Sequence, residues 1–327
     1  MPGLRILSRK EIASVISMKE AIQLMRDGFI TLSSGHADVP VRVNMSIEEH
    51  GGRALFMPVY SKNHDQVGLK SVTVNPTNPA NGLPFIHAIV TLHDAQTGIP
   101  LALMDGEFIT SLRTGAGAGL ATDLLSRPKS SVLAIFGTGV QAHTQVAAVC
   151  AVRPIKKILV FGRSPKNTKI FVKQIAKRYN LEIVAAKSAD VLTEADIVCT
   201  ATTSLTPVFA DKHLSPGTHI NGIGSYRPDM TEISSEVIAR AKVVVDQRKA
   251  CLCEAGDLIV PIQQGHFNES HIHAELGEIL MNDAEGRTDD SEITFFKSVG
   301  NAIQDLVVAN FIEKRAREIN LGTVVTL

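Results

Sequence analysis

A helical pattern of hydrophobic positions opens the chain. Apolar residues from Ile22 to Phe29 recur at the spacing of one helix face within residues 17–35. Ser17 and Glu20 have the spacing of a capping box, in which each side chain accepts a hydrogen bond from the other residue's backbone N–H. The pattern therefore predicts an amphipathic helix that begins after Ser17.

Strand-like runs follow this helix. They are "ALFMPVY", "VGLKSVTVNP", "PFIHAIVTLHD" and "PLALMD", and the "AQTG" between the last two predicts a hairpin turn. The next stretch, "GEFITSLRTGAGAGLATDLLS", predicts a long helix. Its many glycines and alanines favour close packing against another backbone.

The pattern changes near residue 128, where short apolar runs begin to alternate with helical segments. The predicted strands are "SVLAIFG", "KKILVFG", "EIVAA", "DIVCTATT", "THINGIG" and "KVVVD". This alternation predicts right-handed crossovers and a parallel, doubly wound sheet of the Rossmann type. After about residue 290, "ITFFKSVGNAIQDLVVANFIEKRAREI" predicts one long amphipathic helix, which has no strand partner and should return to the first domain. The fold class is therefore α/β, with a Rossmann domain over residues 126–297 inserted into a discontinuous α+β domain of residues 1–125 plus 298–327.

Composition narrows the possible functions. Lys plus Arg and Asp plus Glu both number 33 among 327 residues, and this absence of net charge disfavours a nucleic-acid partner. No apolar run reaches the roughly 18–20 residues of a membrane span, and the first residues lack a signal-peptide pattern, so we expect a cytoplasmic protein. The four cysteines form no CxxC, and His266, His271 and His273 lack further ligands, so a surface loop is favoured over a metal site.

The stretch "GTGVQA" at residues 137–142 predicts the class of cofactor. It matches G-x-G-x-x-A between an apolar strand and a helix, the setting that gives this motif weight. Gly137 would permit the tight turn, Gly139 would let the backbone approach a pyrophosphate, and the helix from Val140 would direct its N–H groups at that anion. The alternative is a tight turn that binds no ligand.

The second strand of this domain ends without an acidic residue. NAD-binding proteins place an Asp or Glu there to accept from the ribose 2′-OH, whereas this chain has "GRSPKN", which includes Arg163, Ser164 and Asn167. A guanidinium suits a 2′-phosphate. The sequence therefore favours NADPH, with NADH possible; the alternative is an exposed basic turn.

Three cations in the first domain form a candidate carboxylate site. Lys70 interrupts an otherwise apolar strand, which is costly unless the side chain faces a cleft. Arg113 has no acidic residue three or four positions away on its helix, and Arg42 precedes both. Together they would bind a substrate carboxylate beside the nicotinamide, although each alone is compatible with an ordinary surface cation.

Three motifs resemble the ornithine cyclodeaminase/mu-crystallin family. They are "LALMDGEFITSLRTGAGAGLAT", "FGTGVQAHTQ" and "PGTHINGIGSYRPDMTEI", and the resemblance covers nearly the whole chain. It implies a homodimer formed through the first domain, with a Rossmann domain inserted in it. Members use NAD(P)(H) to interconvert amino acids with imino or keto acids, or to cyclise ornithine.

The resemblance also implies site residues. For the substrate it implies Arg42, Lys70, Arg113 and Val299. For the cofactor it implies Arg113, Gly137, Thr138, Gly139, Val140, Gln141, Gly162, Arg163, Ser164, Asn167, Thr200, Ala201, Thr202, Ile223, Gly224, Ser225, Met230 and Ser298. Phe85 and Ile86 fall where the family's first domain touches the nicotinamide, but they lack the polar groups found there in other members.

Two departures from the family pattern favour one activity. Cyclodeaminases carry an acid/base Asp where this chain has Tyr226, and mu-crystallin has Trp where this chain has Met230. Reduction of Δ1-pyrroline-2-carboxylate or Δ1-piperideine-2-carboxylate to L-proline or L-pipecolate needs no such Asp. Lys70, with Arg42 and Arg113, would be catalytic, and Asp229 is a weaker candidate for the proton. Alanine dehydrogenase, opine-type reductase, ornithine cyclodeaminase and a non-catalytic NADPH-dependent binder remain alternatives.

Overall fold

The computed structural model describes residues 3–326, which form two compact units. Unit 1 contains the chain up to Arg113 and from Asn301 onward, and unit 2 contains Thr114–Gly300. The strands are β1 (Leu4–Leu7), β2 (Ala37–Asp38), β3 (Val43–Ile47), β4 (Gly52–Ser61), β5 (Gln66–Val74), β6 (Ile86–Asp94), β7 (Pro100–Asp105), β8 (Val132–Phe136), β9 (Lys157–Phe161), β10 (Glu182–Ala185), β11 (Ile197–Thr200), β12 (His219–Gly222), β13 (Lys242–Val245), β14 (Ile272–Glu275), β15 (Thr294–Lys297) and β16 (Thr323–Val325).

Ten α-helices accompany these strands in the described residues. They are α1 (Arg9–Val15), α2 (Met18–Ser33), α3 (Gly106–Leu125), α4 (Val140–Val152), α5 (Pro165–Ala176), α6 (Ser235–Arg240), α7 (Arg248–Glu254), α8 (Gly256–Gln263), α9 (Leu276–Leu280) and α10 (Ala302–Glu318). None of the helices within residues 3–326 is both long and apolar enough to cross a membrane.

Unit 1 is an α+β unit built on one mixed sheet. Its strand order is β16-β1-β7-β6-β5-β4-β2, with β3 paired to β4, and the pairs are antiparallel except β1 with β7. Helix α10 packs against α2 and against the β4–β6 region of the sheet, so the last helix returns to the first domain as predicted. The predicted capping box is confirmed: the Ser17 hydroxyl accepts from Glu20 N at 3.2 Å, and Ser17 N donates to Glu20 Oε2 at 2.8 Å.

Unit 2 is the predicted parallel, doubly wound sheet. Its order is β10-β9-β8-β11-β12-β15-β13-β14, and every neighbouring pair is parallel. Helix α4 follows β8 and α5 follows β9, while the strand order reverses between β8 and β11. Ligands of open parallel sheets bind at the carboxyl ends of the strands beside such a reversal. The fold therefore places the glycine loop after β8 at the expected binding edge.

The predicted helix after residue 290 is wrong in its first part. Residues Thr294–Lys297 form β15, a buried strand between β12 and β13. Gly300 then adopts φ +75°, a left-handed conformation that glycine accommodates, and α10 begins at Ala302. The apolar residues of β15 are buried in the sheet and do not form one face of a helix. In so short a run, periodicity alone does not distinguish a buried strand from a buried helix segment.

The units also divide at different residues from those predicted. The first boundary falls inside α3, between Arg113 and Thr114, rather than after residue 125. The second half of α3 packs closely in unit 2, where a Cβ atom added to Gly115 would lie 2.7 Å from Thr144 O. The helix therefore needs a glycine at position 115.

The second boundary follows Gly300 rather than residue 297. The carboxylate of Asp246, at the end of β13, accepts from the Ser298 hydroxyl at 2.7 Å, from Val299 N at 3.0 Å and from Gly300 N at 2.7 Å. This buried acceptor fixes the three residues to unit 2.

Candidate functional site

The loop after β8 has the geometry that a phosphate-binding turn requires. Gly137 has φ +104°, and a Cβ atom there would collide with the carbonyl oxygen of Ala201. Gly139 differs, because no heavy atom of residues 3–326 outside its chain neighbours lies within 4 Å of an added Cβ position. Gly139 is also the N-cap of α4, and within the described chain no side chain caps its N–H groups. These backbone donors can therefore bind an anion.

A cavity of about 620 Å³ lies over this loop. Its walls include the glycine loop, the basic turn after β9 and the residues after β11, and the predicted residues among them are Gly137, Thr138, Gly139, Gly162, Arg163, Ser164, Asn167, Ala201 and Thr202. The sequence analysis missed Lys187 and Ser188, which line the cavity after β10. The cavity, the open face at Gly139 and the basic turn together fit an elongated dinucleotide with phosphates.

The turn after β9, which lines the same cavity, is closely packed. Gly162 lacks space for a side chain, because an added Cβ would collide with the Thr168 hydroxyl. The Ser164 hydroxyl caps α5 by accepting from Asn167 N at 3.4 Å. Arg163 of this turn and Lys187 of the loop after β10 both line the cavity.

Several of the predicted cofactor residues beyond the cavity lie at neighbouring strand ends of unit 2. Thr200 and Ser225 are fully buried. The Thr200 hydroxyl donates to Glu232 Oε2 at 2.8 Å, and the Gly224 and Ser225 N–H groups donate to the same oxygen at 2.6 and 3.2 Å. Glu232 is a residue that the sequence analysis did not single out.

The remaining predicted residues have varied environments. Val140 is 62% exposed at the start of α4, and Gln141 follows it, whereas Ile223 and Met230 are buried. Met230 O accepts from the Ser225 hydroxyl at 2.7 Å. Asp229 forms a two-armed ion pair with Arg227, with Arg227 Nε to Oδ1 at 2.9 Å and Nη2 to Oδ2 at 2.8 Å. Both charges of that pair are partly exposed to solvent.

The predicted cations of unit 1 lie close together, beside Asp305, an acidic residue that the sequence analysis missed. Lys70 Nζ donates to Asp305 Oδ2 at 2.7 Å, and Arg113 Nε donates to Asp305 Oδ1 at 3.2 Å. Arg113 Nη1 also donates to Gln304 Oε1 at 2.8 Å. Asp305 stands in the first turn of α10, where the helix dipole favours a negative charge.

The fold explains why these groups meet. Burial alternates along β5, so Lys70 shares the buried face of that strand with Gly68 and Val72. An added Cβ at Gly68 would lie 3.4 Å from Leu306 Cδ1, so this glycine permits the close approach of α10. Asp305 directly precedes Leu306 and is thereby held against Lys70.

Burial and charge together set the protonation of Lys70, which is 2% exposed. Burial lowers the pKa of Lys70 to about 7, the guanidinium charges of Arg113 and Arg42 act in the same direction, and Asp305 opposes them. Arg42 therefore lies close enough to act electrostatically on Lys70, as the carboxylate-site prediction requires.

Comparison with known proteins identifies the family of this chain. The model of the ornithine cyclodeaminase/mu-crystallin family matches residues 4–320. The chain belongs to this family. A Delta(1)-pyrroline-2-carboxylate reductase of Bacillus cereus is 41% identical over 319 residues, which cover 97% of this chain and 98% of that protein.

Two solved structures of similar proteins share the whole fold. Thermococcus litoralis Delta(1)-pyrroline-2-carboxylate reductase in complex with NADH and L-proline has a TM-score of 0.94 and 42% identity, covering 98% of this chain and 99% of that one. An archaeal alanine dehydrogenase dimer with bound NAD has a TM-score of 0.93 and 34% identity, covering 99% of both chains. These family members confirm the predicted fold and the prediction of a nicotinamide-dependent oxidoreductase of C=N and CH–NH bonds.

The glycine loop gives a first test of the site. We expect Gly137→Ala to lower the free energy of unfolding by about 1–3 kcal/mol, because the left-handed conformation and the contact with Ala201 O both resist a Cβ. Gly139→Ala, which has space and an extended backbone, should cost less than about 1 kcal/mol. Urea denaturation of the two variants measures both values. Equal costs at the two positions would contradict this geometry.

Proposed function

We propose that this protein reduces cyclic ketimino acids with NADPH, converting Δ1-pyrroline-2-carboxylate to L-proline and accepting Δ1-piperideine-2-carboxylate, which yields L-pipecolate. The observation that carries the proposal is the buried Lys70–Asp305–Arg113 cluster, with Lys70 at a pKa of about 7. Its positive charge suits the carboxylate of a small acid, and its lysine can exchange a proton at neutral pH. The named reductases at 41–42% identity support the same chemistry.

Charge balance supports carboxylate binding. When Lys70 is protonated, Lys70 and Arg113 carry two positive charges, and Asp305 balances one of them. The Lys70 and Arg113 side chains are 1% and 6% exposed, so the surplus positive charge is poorly screened by water. A substrate carboxylate would neutralise part of that surplus, and this attraction orients the ring.

The chain's own residues would then complete the reduction. When bound, the nicotinamide coenzyme supplies the hydride that adds to the carbon of the C=N bond. The ring nitrogen gains the electron pair of the broken π bond, and Lys70 Nζ donates a proton to it, leaving a neutral amine on Lys70. Asp305 holds the Lys70 Nζ in place, and solvent returns the proton after product release. Arg113, anchored by Gln304 and Asp305, keeps its charge throughout.

The surroundings of Tyr226 and Asp229 support reduction over ornithine cyclisation. Tyr226, at the position of the cyclodeaminase Asp, is 42% exposed and has no carboxylate. Asp229 is engaged by both arms of Arg227 and is partly exposed, so it is a poorer proton donor than buried Lys70. Lys70 is therefore our candidate for the proton, and Asp229 is not assigned that role.

The proposal includes a homodimer. On β3, Val43, Met45 and Ile47 occupy alternate positions and are 53%, 51% and 37% exposed, so one face of this strand carries uncovered apolar side chains. Ile89 on β6 is 44% exposed and lies on the same face, because the strand register aligns Val43 with Phe56, Ser71 and Ile89. A second copy would bury this surface, as the alanine dehydrogenase dimer suggests.

The activity can be measured by the loss of reduced-nicotinamide absorbance. With NADPH, we expect Δ1-pyrroline-2-carboxylate to be turned over far faster than pyruvate plus ammonia, and ornithine to be inert. Lys70→Met should lower kcat by about 10²–10⁴-fold while NADPH binding is retained, since a proton donor is lost. Lys62→Met, on the exposed turn after β4, is the matched control. Normal turnover by Lys70→Met would remove this lysine from the mechanism.

The pH dependence of kcat/KM tests whether Asp305 raises the pKa of Lys70 or has a purely structural role. Since reduction requires protonated Lys70, kcat/KM should fall as pH rises through about 7, the pKa of this lysine. Asp305 raises that pKa, so Asp305→Asn should move the midpoint to lower pH. The substrate's own ionisation is common to both proteins and cancels from the comparison. Glu49→Gln, on the surface of unit 1, should leave the midpoint in place; an unmoved or raised midpoint in Asp305→Asn contradicts the coupling.

Coenzyme choice tests the basic turn. We expect Arg163→Ala to lower kcat/KM for NADPH by about 10- to 100-fold, because a charge-assisted hydrogen bond is worth about 1.5–3 kcal/mol. The value for NADH should change little, and Lys187→Ala should act in the same direction as Arg163→Ala. Lys173→Ala on the exposed side of α5 is the control. Parallel losses with both coenzymes would show that Arg163 does not contact a 2′-phosphate.

A further inference from the structure

Four hydrogen-bond donors from two neighbouring strand ends converge on one carboxylate. Glu232 Oε2 accepts from the Thr200 hydroxyl and from Gly224 N and Ser225 N, at 2.8, 2.6 and 3.2 Å. Its other oxygen, Oε1, accepts from Thr202 N at 2.7 Å. Glu232 is 0% exposed, so these bonds are not shared with water. One side chain therefore ties the end of β11 to the end of β12.

Glu232 is itself held by a second buried carboxylate. Asp257 Oδ1 accepts from Glu232 N at 2.7 Å and from Ile233 N at 3.1 Å. Asp257 Oδ2 receives a hydrogen bond from Lys297 Nζ at 3.0 Å, and the same Nζ donates to Gly222 O at 3.1 Å. Burial and the charge of Asp257 raise the pKa of Glu232, and Lys297 opposes them. The hydrogen bond from Thr202 N acts in the same direction as Lys297.

This network reaches the wall of the coenzyme cavity. Ala201, Thr202 and Ser204 line that cavity, and the N–H of Thr202 is the group that Glu232 Oε1 binds. The Thr202 hydroxyl in turn accepts from Ser204 N at 3.1 Å. A Cβ atom at Gly224 would collide with Thr202 O, so the two strand-end loops also pack directly on each other.

We propose that Glu232 is a positioning residue for the coenzyme, which fixes the loops Thr200–Thr202 and Gly224–Ser225 in the shape that accepts it. The inference rests on the proposed coenzyme site, and it assigns Thr200 a supporting role through its hydrogen bond to Glu232. A glutamine at this position cannot accept from all four donors, because its NH₂ group would face at least one N–H or O–H. Both acceptor oxygens are therefore required.

The test compares coenzyme binding with stability. We expect Glu232→Gln to raise the Kd for NADPH, followed by nicotinamide fluorescence, by about tenfold or more, since a buried donor loses its acceptor. The KM for NADPH should rise by a similar factor while the KM for the imine stays within about twofold. Glu182→Gln, on the exposed side of β10, is the control. A merely structural role would lower the melting temperature and leave both constants of the folded protein unchanged.

Thr200 provides a second, milder pair of variants in case Glu232→Gln does not fold. Thr200→Val removes one donor to Glu232 with little change in shape, and should raise the Kd for NADPH by about three- to tenfold. Thr200→Ser keeps the hydroxyl and should lose less than the valine variant. If all these variants bind NADPH as tightly as the unaltered protein does, the proposed role of Glu232 is wrong and the proposed function stands. Failure of the unaltered protein to bind NADPH or NADH would instead overturn the proposed function.

Discussion

Three charged side chains that water can barely reach, Lys70, Arg113 and Asp305, impose the main constraint on unit 1. Charges removed from water are costly unless they are paired and hydrogen-bonded. Here the Asp305 carboxylate pairs with both cations, at 2.7 Å from Lys70 Nζ and 3.2 Å from Arg113 Nε. The cluster requires a strand, β5, and two helices, α3 and α10, to meet at one place. That requirement gives α10 a reason to return to unit 1 after the whole of unit 2 has intervened in the chain.

In unit 2, buried carboxylates at the ends of the strands accept hydrogen bonds from backbone N–H groups. Parallel strands end in N–H groups that need acceptors, and the carboxyl edge of the sheet is also where a ligand must bind. Glu232 serves β11 and β12, and Asp246 serves the segment after β15. The loops are thereby shaped from within the protein. The glycine loop after β8 keeps its backbone donors for a phosphate instead, because Gly139 offers no capping side chain.

The sequence predicts local features well and distant partners poorly. The Ser17 capping box, the glycine loop and the alternation of strands and helices depend on neighbours in the chain, so their spacing carries the information. Asp305 lies 235 positions from Lys70, and no spacing rule connects them. A polar "QD" among the apolar residues of the first two turns of α10 was the available signal. Residues 294–297 were misassigned because a buried strand and a buried helix segment have the same hydrophobic composition.

The proposed chemistry depends on Lys70 as a buried amine that exchanges a proton near neutral pH. NMR of the isotopically labelled lysine side chains measures its titration, with the Lys70 signal assigned by its loss in Lys70→Met. We expect this amine to titrate with a pKa of about 7, against the ordinary value of 10.5, so that it is charged below and neutral above that pH. A Lys70 signal that titrates near 10.5 with the surface lysines would exclude this role.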